Sequence, residues 1–360
     1  MAQSLHDETA PTAPDRAAIP APAAAGAALL LAVAAVTWSK WWPYAHKLPA
    51  VAQTDSVGSP IFRPADPSGG VLRAAADFTV SYGQSVWKAL LTALVIAAVI
   101  DALLPRRWLL TLLEGGRRRR GTLAGGLLAL PTMMCTCCVT PIAVTMRRRG
   151  VSNASALAFW IGNPVLNPVV LVFLALTLPW HWVALRIVTG VFLVFFVTRL
   201  VARLGSGTEM DLGMTDALAN ESPRSGREMA LKFCATFVRL AAVLVPEYLL
   251  IVFGIGIAQV WLSPSAVDTG TSAVLAALIL AVLGTLLVIP TAGEVPVIQG
   301  LLQAGFGAGP VGALLVTLPA VSLPSLLMLR RAFAWRVLLA LAGAVVVLGL
   351  VDAAVLGLLA

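Results

Sequence analysis

The sequence predicts an all-α polytopic membrane protein, and three features of its composition support that fold class. Apolar residues make up 59% of the 360 residues, charged residues only 12%, and the mean hydropathy is +0.90. Soluble domains carry about 25% charged residues and lack such long apolar stretches. A bilayer-spanning helix takes about 20 apolar residues, so the chain has room for roughly eight or nine membrane segments. No soluble catalytic domain fits beside them, and we expect no enzyme activity.

The distribution of charge indicates a membrane rather than a nucleic-acid partner. Lys and Arg number 25 against 17 Asp and Glu. The arginines stand in runs directly beside apolar stretches, as cytoplasmic topology signals do. The lipid bilayer is therefore the expected partner, nucleic acid is not, and the oligomeric state stays open. Because His6, His46 and His181 show no ligand spacing, we expect neither a resident metal nor a cofactor.

The first 79 residues are expected to precede the main body of the fold. Residues 1–20 are rich in Ala, Pro and acids, which predicts a disordered tail. The apolar stretch from Ala17 to Trp38 has a long acidic lead and no clear cleavage site, which favours a retained helix over a signal peptide. Aromatic residues at 38, 41, 42 and 44 then mark a membrane interface, followed by an external loop to about Gly70. Residues 21–79 are thus predicted to form one helix and one loop.

Arginine runs decide the path of the remaining chain. The further apolar stretches are about 80–104, 121–146, 152–178, 182–203, 233–261, 272–308, 309–329 and 335–359. Arginines at 117–120 and 147–149 place both ends of the stretch 121–146 in the cytoplasm, so it is a re-entrant hairpin rather than a span. Arginines at 330, 331 and 336 place the end of 309–329 in the cytoplasm. The stretch 272–308 is therefore a second hairpin that enters from outside.

These assignments predict two inverted repeats. Residues 80–203 and 233–360 each read helix, re-entrant hairpin, broken helix, helix, with opposite orientation, and residues 204–232 form a cytoplasmic loop between them. Together with the extra N-terminal helix this gives seven spans and two hairpins. Inverted repeats with broken helices are the plan of secondary transporters. The pattern predicts a permease for a small solute, located in the cell's inner (plasma) membrane with its N-terminus in the cytoplasm.

The first hairpin tip carries three cysteines, Cys135, Cys137 and Cys138, between Pro131 and Pro141. Two prolines ten residues apart forbid one continuous helix and leave backbone groups unpaired near the membrane centre. Thiols there are soft ligands suited to trivalent arsenic-like centres, monovalent copper or zinc. The alternative is that these cysteines act only as small buried apolar residues.

The helix after the first hairpin contains two Asn-Pro pairs, Asn163-Pro164 and Asn167-Pro168. Asn is a preferred N-cap and Pro suits the first helical position, so either pair can restart a helix halfway across the bilayer. The positive end of such a half-helix could hold an anionic or dipolar substrate. The alternative is a simple kink in a packed helix.

The second half offers a matching tip and two acids. Pro290 and Pro296 bracket Glu294 at the second hairpin tip, while Ser322 and Pro324 mark the break in the following helix. Glu247 stands mid-span beside a proline, where a carboxylate needs a cavity or a partner. Glu247 and Glu294 are the candidates for a proton-coupled site, and a helix–helix hydrogen bond is the alternative for Glu247. Asp352 is expected to reach an interface near the chain end.

The motifs resemble those of the ArsP-type predicted permease family. The resemblance rests on the Pro131–Pro141 tip, the turn at Gly150, the run 156–159 into the two Asn-Pro pairs, and Ser322-Leu-Pro-Ser before a pair of arginines. It covers about residues 80–359 and implies an inner-membrane permease whose characterised relatives export trivalent organoarsenicals. On that resemblance Cys135 and Cys137 take the contact role, and Cys138 is an addition of this sequence. The spacing from Pro131 to Cys135 is longer than the family's usual spacing.

Two other function classes stay open. A membrane-embedded thiol redox enzyme would use the cysteines as redox groups, although no histidine or paired acid lies beside them in sequence. A non-transporting membrane component would depend on a working partner, although a passive scaffold needs no pair of hairpins. Absence of a Gly-x-x-x-x-Gly-Lys-Ser/Thr motif argues against direct use of ATP. The leading interpretation is a secondary permease that exports a small solute, with a thiophilic species as the candidate.

Overall fold

A computed structural model describes residues 21–58, 70–104, 106–114, 118–205, 226–259 and 272–359. The predicted tail at 1–20 lies outside these residues, as do parts of the loops predicted before Gly70, at 204–232 and after 261. The described residues form helices and connecting turns, with no strand among them. This confirms the predicted all-α class.

The helices follow one another along the chain with short π or 3-10 turns between some of them. In order they are α1 (Ala21–Val36), α2 (Trp42–Thr54), α3 (Val71–Ala102), α4 (Arg106–Glu114), α5 (Arg118–Ala129), α6 (Thr136–Arg148), α7 (Asn153–Val165), α8 (Pro168–Thr177), α9 (Trp180–Phe192), α10 (Thr198–Ala202), α11 (Gly226–Gln259), α12 (Ala273–Leu286), α13 (Glu294–Gln303), α14 (Ala308–Gly312), α15 (Leu314–Ala320), α16 (Leu323–Leu329) and α17 (Trp335–Leu359).

Six helical segments of the described chain are long and apolar enough to cross a membrane, which confirms a polytopic membrane protein. They are Val71–Ala102, Asn153–Thr177, Trp180–Gly205, Gly226–Ile257, Ala308–Leu329 and Trp335–Leu359. These correspond to six of the seven predicted spans. The predicted N-terminal span is not among them; its apolar part, α1, has 16 residues and continues through a π turn into α2.

The two stretches predicted as hairpins are each broken into helices too short to span. In the first half, α5 and α6 have 12 and 13 residues and are separated by a turn around Pro131. In the second half, α12 and α13 have 14 and 10 residues and are separated by the segment around Pro290. In both turns the residue that follows the Pro-Thr pair has positive φ: 49° at Met133 and 69° at Ala292. Both tips thus adopt a left-handed backbone at the residue after a Pro-Thr pair.

The broken helices lie at the centre of the molecule. About 83% of the most apolar window of Asn153–Thr177 is buried, and 89% of that of Ala308–Leu329, against 28% for Gly226–Ile257. Irregular backbone at membrane depth needs surrounding protein, because lipid cannot bond the freed peptide groups. The breaks therefore occur in the segments that the fold protects.

The bases of the two interrupted segments lie at opposite ends of α17. The Arg147 guanidinium, at the end of α6, stacks 5.6 Å from the ring centre of Phe333, just before α17 begins. Gly309, which follows α13, packs against Gly357 near the other end of α17. A helix of 25 residues is about 37 Å long. This geometry is the one that oppositely entering hairpins require, and the inverted-repeat relationship itself stays a prediction.

Two predicted boundaries near the N-terminus are wrong. Instead of an external loop after the aromatic cluster, the chain continues through a π turn at Thr37–Trp41 into α2, which ends at Thr54. The helix predicted from residue 80 begins at Val71. The segment from Thr37 to Tyr44 stays helical and contacts the turns around Pro131 and Pro290.

Candidate functional site

The two interrupted segments meet around one cavity at the centre of the fold. Its volume is about 10 Å³, roughly enough for one water molecule. Both tips and both broken helices supply its wall, which consists of Met134, Cys135, Thr136, Pro164, Val170, Ile289, Pro290, Thr291, Ala292, Glu294, Leu318 and Pro319. Four predicted site residues therefore line one shared space, and they come from both halves of the sequence.

The remaining predicted residues of the substrate pathway do not line this cavity. They are Cys137, Cys138, Pro141, Asn163, Asn167, Pro168, Pro296, Ser322 and Pro324, and Glu247 is also absent from the wall. Cys137, Cys138, Asn163 and Asn167 are fully buried behind it. The two asparagines fit a supporting layer, whereas the sulfurs of Cys137 and Cys138 contact that of Cys135, which lines the cavity.

The three thiols form a compact buried cluster. The Cys135 Sγ lies 3.4 Å from the Cys137 Sγ and 3.0 Å from the Cys138 Sγ, and the three sulfurs lie within 4.8 Å of one another. Two phenols flank the cluster: the Tyr82 hydroxyl is 3.3 Å and the Tyr248 hydroxyl 3.6 Å from the Cys137 Sγ. Three convergent sulfurs could hold one soft metal or metalloid centre.

The backbone turn that gathers the thiols is held by Asn163. Its Oδ1 accepts hydrogen bonds from the Thr132 hydroxyl and, at 3.3 Å, from the Met134 N–H, while its Nδ2 donates to the Phe159 carbonyl at 2.9 Å. Of the two Asn-Pro pairs, Asn163-Pro164 does not restart a helix, because α7 runs on through Pro164. Asn163 instead satisfies peptide groups of the first tip.

The proline-bounded loops predicted at both tips are shorter than expected. The prediction that Pro141 ends the first tip is wrong, since α6 begins at Thr136 and contains Pro141. Likewise Pro296 is the third residue of α13 rather than the end of the second tip. Pro296 lies in the first turn of α13, where the N–H group that proline lacks would have no partner within the helix anyway. In the second half the predicted break is present, where Ser322 and Ser325 form a reciprocal capping box at the start of α16.

The break in the first central helix occurs at Asn167, as one of the two predicted possibilities. Asn167 is the N-cap of α8, and its Oδ1 accepts from the N–H groups of Val169 and Val170 at 3.1 and 3.4 Å. Pro168 has no N–H, so the Pro164 carbonyl loses its usual donor four residues on. The Val165 carbonyl also loses its usual donor, because the Val169 N–H donates to the Asn167 Oδ1 instead.

Arg186, which the sequence analysis did not single out, satisfies both freed carbonyls. Its Nε donates to the Val165 carbonyl at 2.8 Å and its Nη2 to the Pro164 carbonyl at 3.1 Å. The same Nη2 lies 3.5 Å from the Glu294 carboxylate, which lines the cavity from the other half. The signal was an arginine inside an apolar stretch, four residues after its predicted start at 182.

Asp352 is the second acid that faces Arg186, and its expected place near an interface is wrong. The residue is fully buried on α17, and neither carboxylate oxygen has a hydrogen-bond partner among the described residues. One guanidinium is thus paired with Glu294 and within electrostatic reach of Asp352. A buried charge needs such a partner, because desolvation otherwise costs several kcal/mol.

Glu247 has a different surrounding from the one predicted. Its carboxylate lies 2.9 Å from the Arg331 guanidinium, and the two side chains are 18% and 37% exposed. Arg331 lies in the turn between α16 and α17, so Glu247 is paired with a residue from outside its own helix rather than isolated. α11 begins seven residues before the predicted start at 233.

The fold, in which two broken helices meet at one enclosed cavity, is that of a multi-pass membrane protein. The chain belongs to the predicted permease family (ArsP_1), whose model matches residues 71–358. The assignment makes it a membrane permease, as predicted, and indicates a transporter rather than an enzyme.

Two relatives support the assignment. The chain is 42% identical over 309 residues to the UPF0718 protein YraQ of Escherichia coli (strain K12), covering 84% of this chain and 86% of that protein. It is 22% identical over 297 residues to the UPF0718 protein MJ0584 of Methanocaldococcus jannaschii, covering 66% and 80% of the two chains. No solved structure matches the chain.

Proposed function

We propose that this permease exports a small thiophilic solute, such as a trivalent organoarsenical, and that the three thiols are its central binding site. The observation that carries the proposal is the convergence of Cys135, Cys137 and Cys138 beside a cavity shared by both halves. A site reachable from both halves suits alternating access, in which one half moves against the other around a fixed solute.

The chemistry of binding requires no redox partner. When a thiol binds an arsenic(III) hydroxide, the S–H proton and the hydroxyl group leave together as water while an As–S bond forms. The oxidation states of sulfur and arsenic are unchanged. The step reverses with water on release, so the same thiols can serve successive transport cycles.

Accumulation of methylarsenite, arsenite and copper in cells with and without the permease tests this proposal. We expect expression to lower methylarsenite accumulation, and Cys135→Ser or Cys137→Ser to abolish that effect at unchanged protein abundance. Serine is nearly the size of cysteine but forms no equivalent bond to a soft centre. Cys234→Ser is the matched control, because Cys234 is exposed and far along the chain on α11. Full protection by the Cys135→Ser, Cys137→Ser double variant would reduce the cluster to packing.

We propose further that Glu294 couples export to the proton gradient. Its support is the carboxylate buried at the cavity wall against Arg186, since intramembrane acids commonly serve as proton sites. Glu294→Gln should stop uphill transport in proteoliposomes with an imposed pH gradient while downhill exchange continues. The Glu247→Gln variant should transport normally, because Glu247 pairs with Arg331 away from the cavity wall. Unchanged gradient-driven flux in Glu294→Gln would reject the coupling.

The proposed location is the inner (plasma) membrane with a cytoplasmic N-terminus. The distribution of arginines beside the apolar stretches supports it.

A second candidate function is thiol redox chemistry, which one observation favours. Cys135 and Cys138 have two residues between them, which is the Cys-x-x-Cys spacing of dithiol oxidoreductases. Their sulfurs are 3.0 Å apart. Oxidation would form one disulfide and release two protons, with two electrons passing to a quinone-class acceptor. Reduction of an added quinone by the reduced purified protein, lost in Cys138→Ser, would establish this activity. Absence of quinone reduction would reject it.

A further inference from the structure

The N-terminal helical segment joins the two tips across the central cavity. Lys40 donates from Nζ to the Thr291 hydroxyl at 2.9 Å, and the next residue, Trp41, donates from Nε1 to the Pro131 carbonyl at 3.1 Å. The Tyr44 hydroxyl also donates to the Thr291 carbonyl, at 3.3 Å. Neighbouring residues of one π turn thus contact the Pro-Thr pairs of both halves. Single π turns within helices are frequent at functional sites.

Lys40 brings a buried charge to the cavity wall. The residue is 5% exposed, and its ammonium contacts Thr291, which lines the cavity. Its charge acts on Tyr44 and on all three thiols. Among the described residues, no carboxylate forms an ion pair with it.

The central acids do not supply the missing counter-charge. Glu294 pairs with Arg186 at 3.5 Å, and among the described residues no ion pair joins Lys40 to Glu294 or to Asp352. An ammonium at membrane depth is costly unless a partner or a polar cavity offsets its charge. Arginine and lysine in such positions mark substrate and ion pathways. Within the described residues the ammonium has the Tyr44 ring at 5.7 Å but no carboxylate, which leaves the counter-charge to the solute.

We propose that Lys40 is a specificity-determining residue that selects solutes carrying an anionic group beside their soft centre. The thiols would bind the soft atom, while the ammonium and the Thr291 hydroxyl would bind the anionic group across the cavity. This inference rests on the proposed function and adds the charge of the solute to it. The residue lies outside the part matched by the family model, which begins at residue 71. The proposed selectivity is thus assigned to a segment that precedes the part matched by the family model.

A matched pair of probes tests the inference in proteoliposomes: methylarsenite and its carboxymethyl analogue, in which a carboxylate replaces one methyl hydrogen. Wild-type protein should transport the carboxylate in preference. Lys40→Met should lower the ratio of carboxymethyl to methyl flux about tenfold or more, since a hydrogen bond to a charged group contributes about 1.5–3 kcal/mol. Lys40→Arg should retain most of the preference.

Trp41→Phe separates selectivity from helix docking, because it removes the bond to Pro131 and leaves the charge in place. Its flux ratio should equal that of the wild type even if both fluxes fall. A wild-type ratio in Lys40→Met would overturn the inference while leaving the thiol site intact. Absence of transport for both probes in the wild type would instead reject the proposed function on which the inference rests.

Discussion

Replacing Arg186 by Met should destabilise the permease more than any other single change at the cavity. At 3.5 Å from Glu294, the opposite charges attract by about 5 kcal/mol at an effective dielectric constant of about 20. Removing one partner of a buried pair typically costs about 3–5 kcal/mol. Arg186→Met also strands the carbonyls of Pro164 and Val165, each at about 1–3 kcal/mol.

A double-mutant cycle separates the two contributions. Glu294→Gln alone loses the charge pair but keeps both carbonyl bonds, so it should cost about 3–5 kcal/mol. Adding Glu294→Gln to Arg186→Met removes the stranded carboxylate, so the double variant should be more stable than Arg186→Met alone. The expected coupling is about 1–3 kcal/mol.

Denaturation of the purified protein in mixed micelles, followed by tryptophan fluorescence, measures these free energies. Arg239→Met, on an exposed position of α11, is the control and should change stability by less than about 0.5 kcal/mol. If the two central substitutions are simply additive, Arg186 and Glu294 do not interact and the description of the cavity wall is incorrect.

Two further predictions concern packing and topology. A Cβ at Gly284 would lie 2.2 Å from the Thr317 hydroxyl, whereas one at Gly343 meets nothing within 4 Å. Gly284→Ala should therefore destabilise the protein by about 1–3 kcal/mol, while Gly343→Ala should not, in the same denaturation assay. Single cysteines near residues 148 and 307 should react with an impermeant thiol reagent from opposite sides of the membrane. Labelling of both from one side would contradict oppositely entering hairpins.

Local sequence signals predicted the helical class and the places where helices break. Asn167-Pro168 restarts a helix because a cap and a fixed φ act over four residues, without help from the rest of the fold. Asn163-Pro164 has the same chemistry but stays helical. Its side chain is recruited by Met134 and Thr132, and that contact depends on tertiary packing.

The residues that complete the site could not be predicted, because their partners are distant in sequence. Arg186 meets Glu294 across 108 positions, and Lys40 meets Thr291 across 251. Hydropathy places such residues within a span but does not say which face they occupy or what lies opposite. Glu247 is a further case: its apolar surroundings predicted a cavity or a partner, and the partner, Arg331, lies in the turn after α16.

Flux of methylarsenite through purified protein in proteoliposomes tests the central claim, that the thiol cluster at the junction of the two tips is the solute site. We expect saturable flux for the wild type and for Cys234→Ser. When Cys135, Cys137 and Cys138 are all replaced by Ser, we expect flux at the level of empty liposomes, with the protein folded as judged by its denaturation profile. Equal flux in the wild type and the triple variant would contradict it.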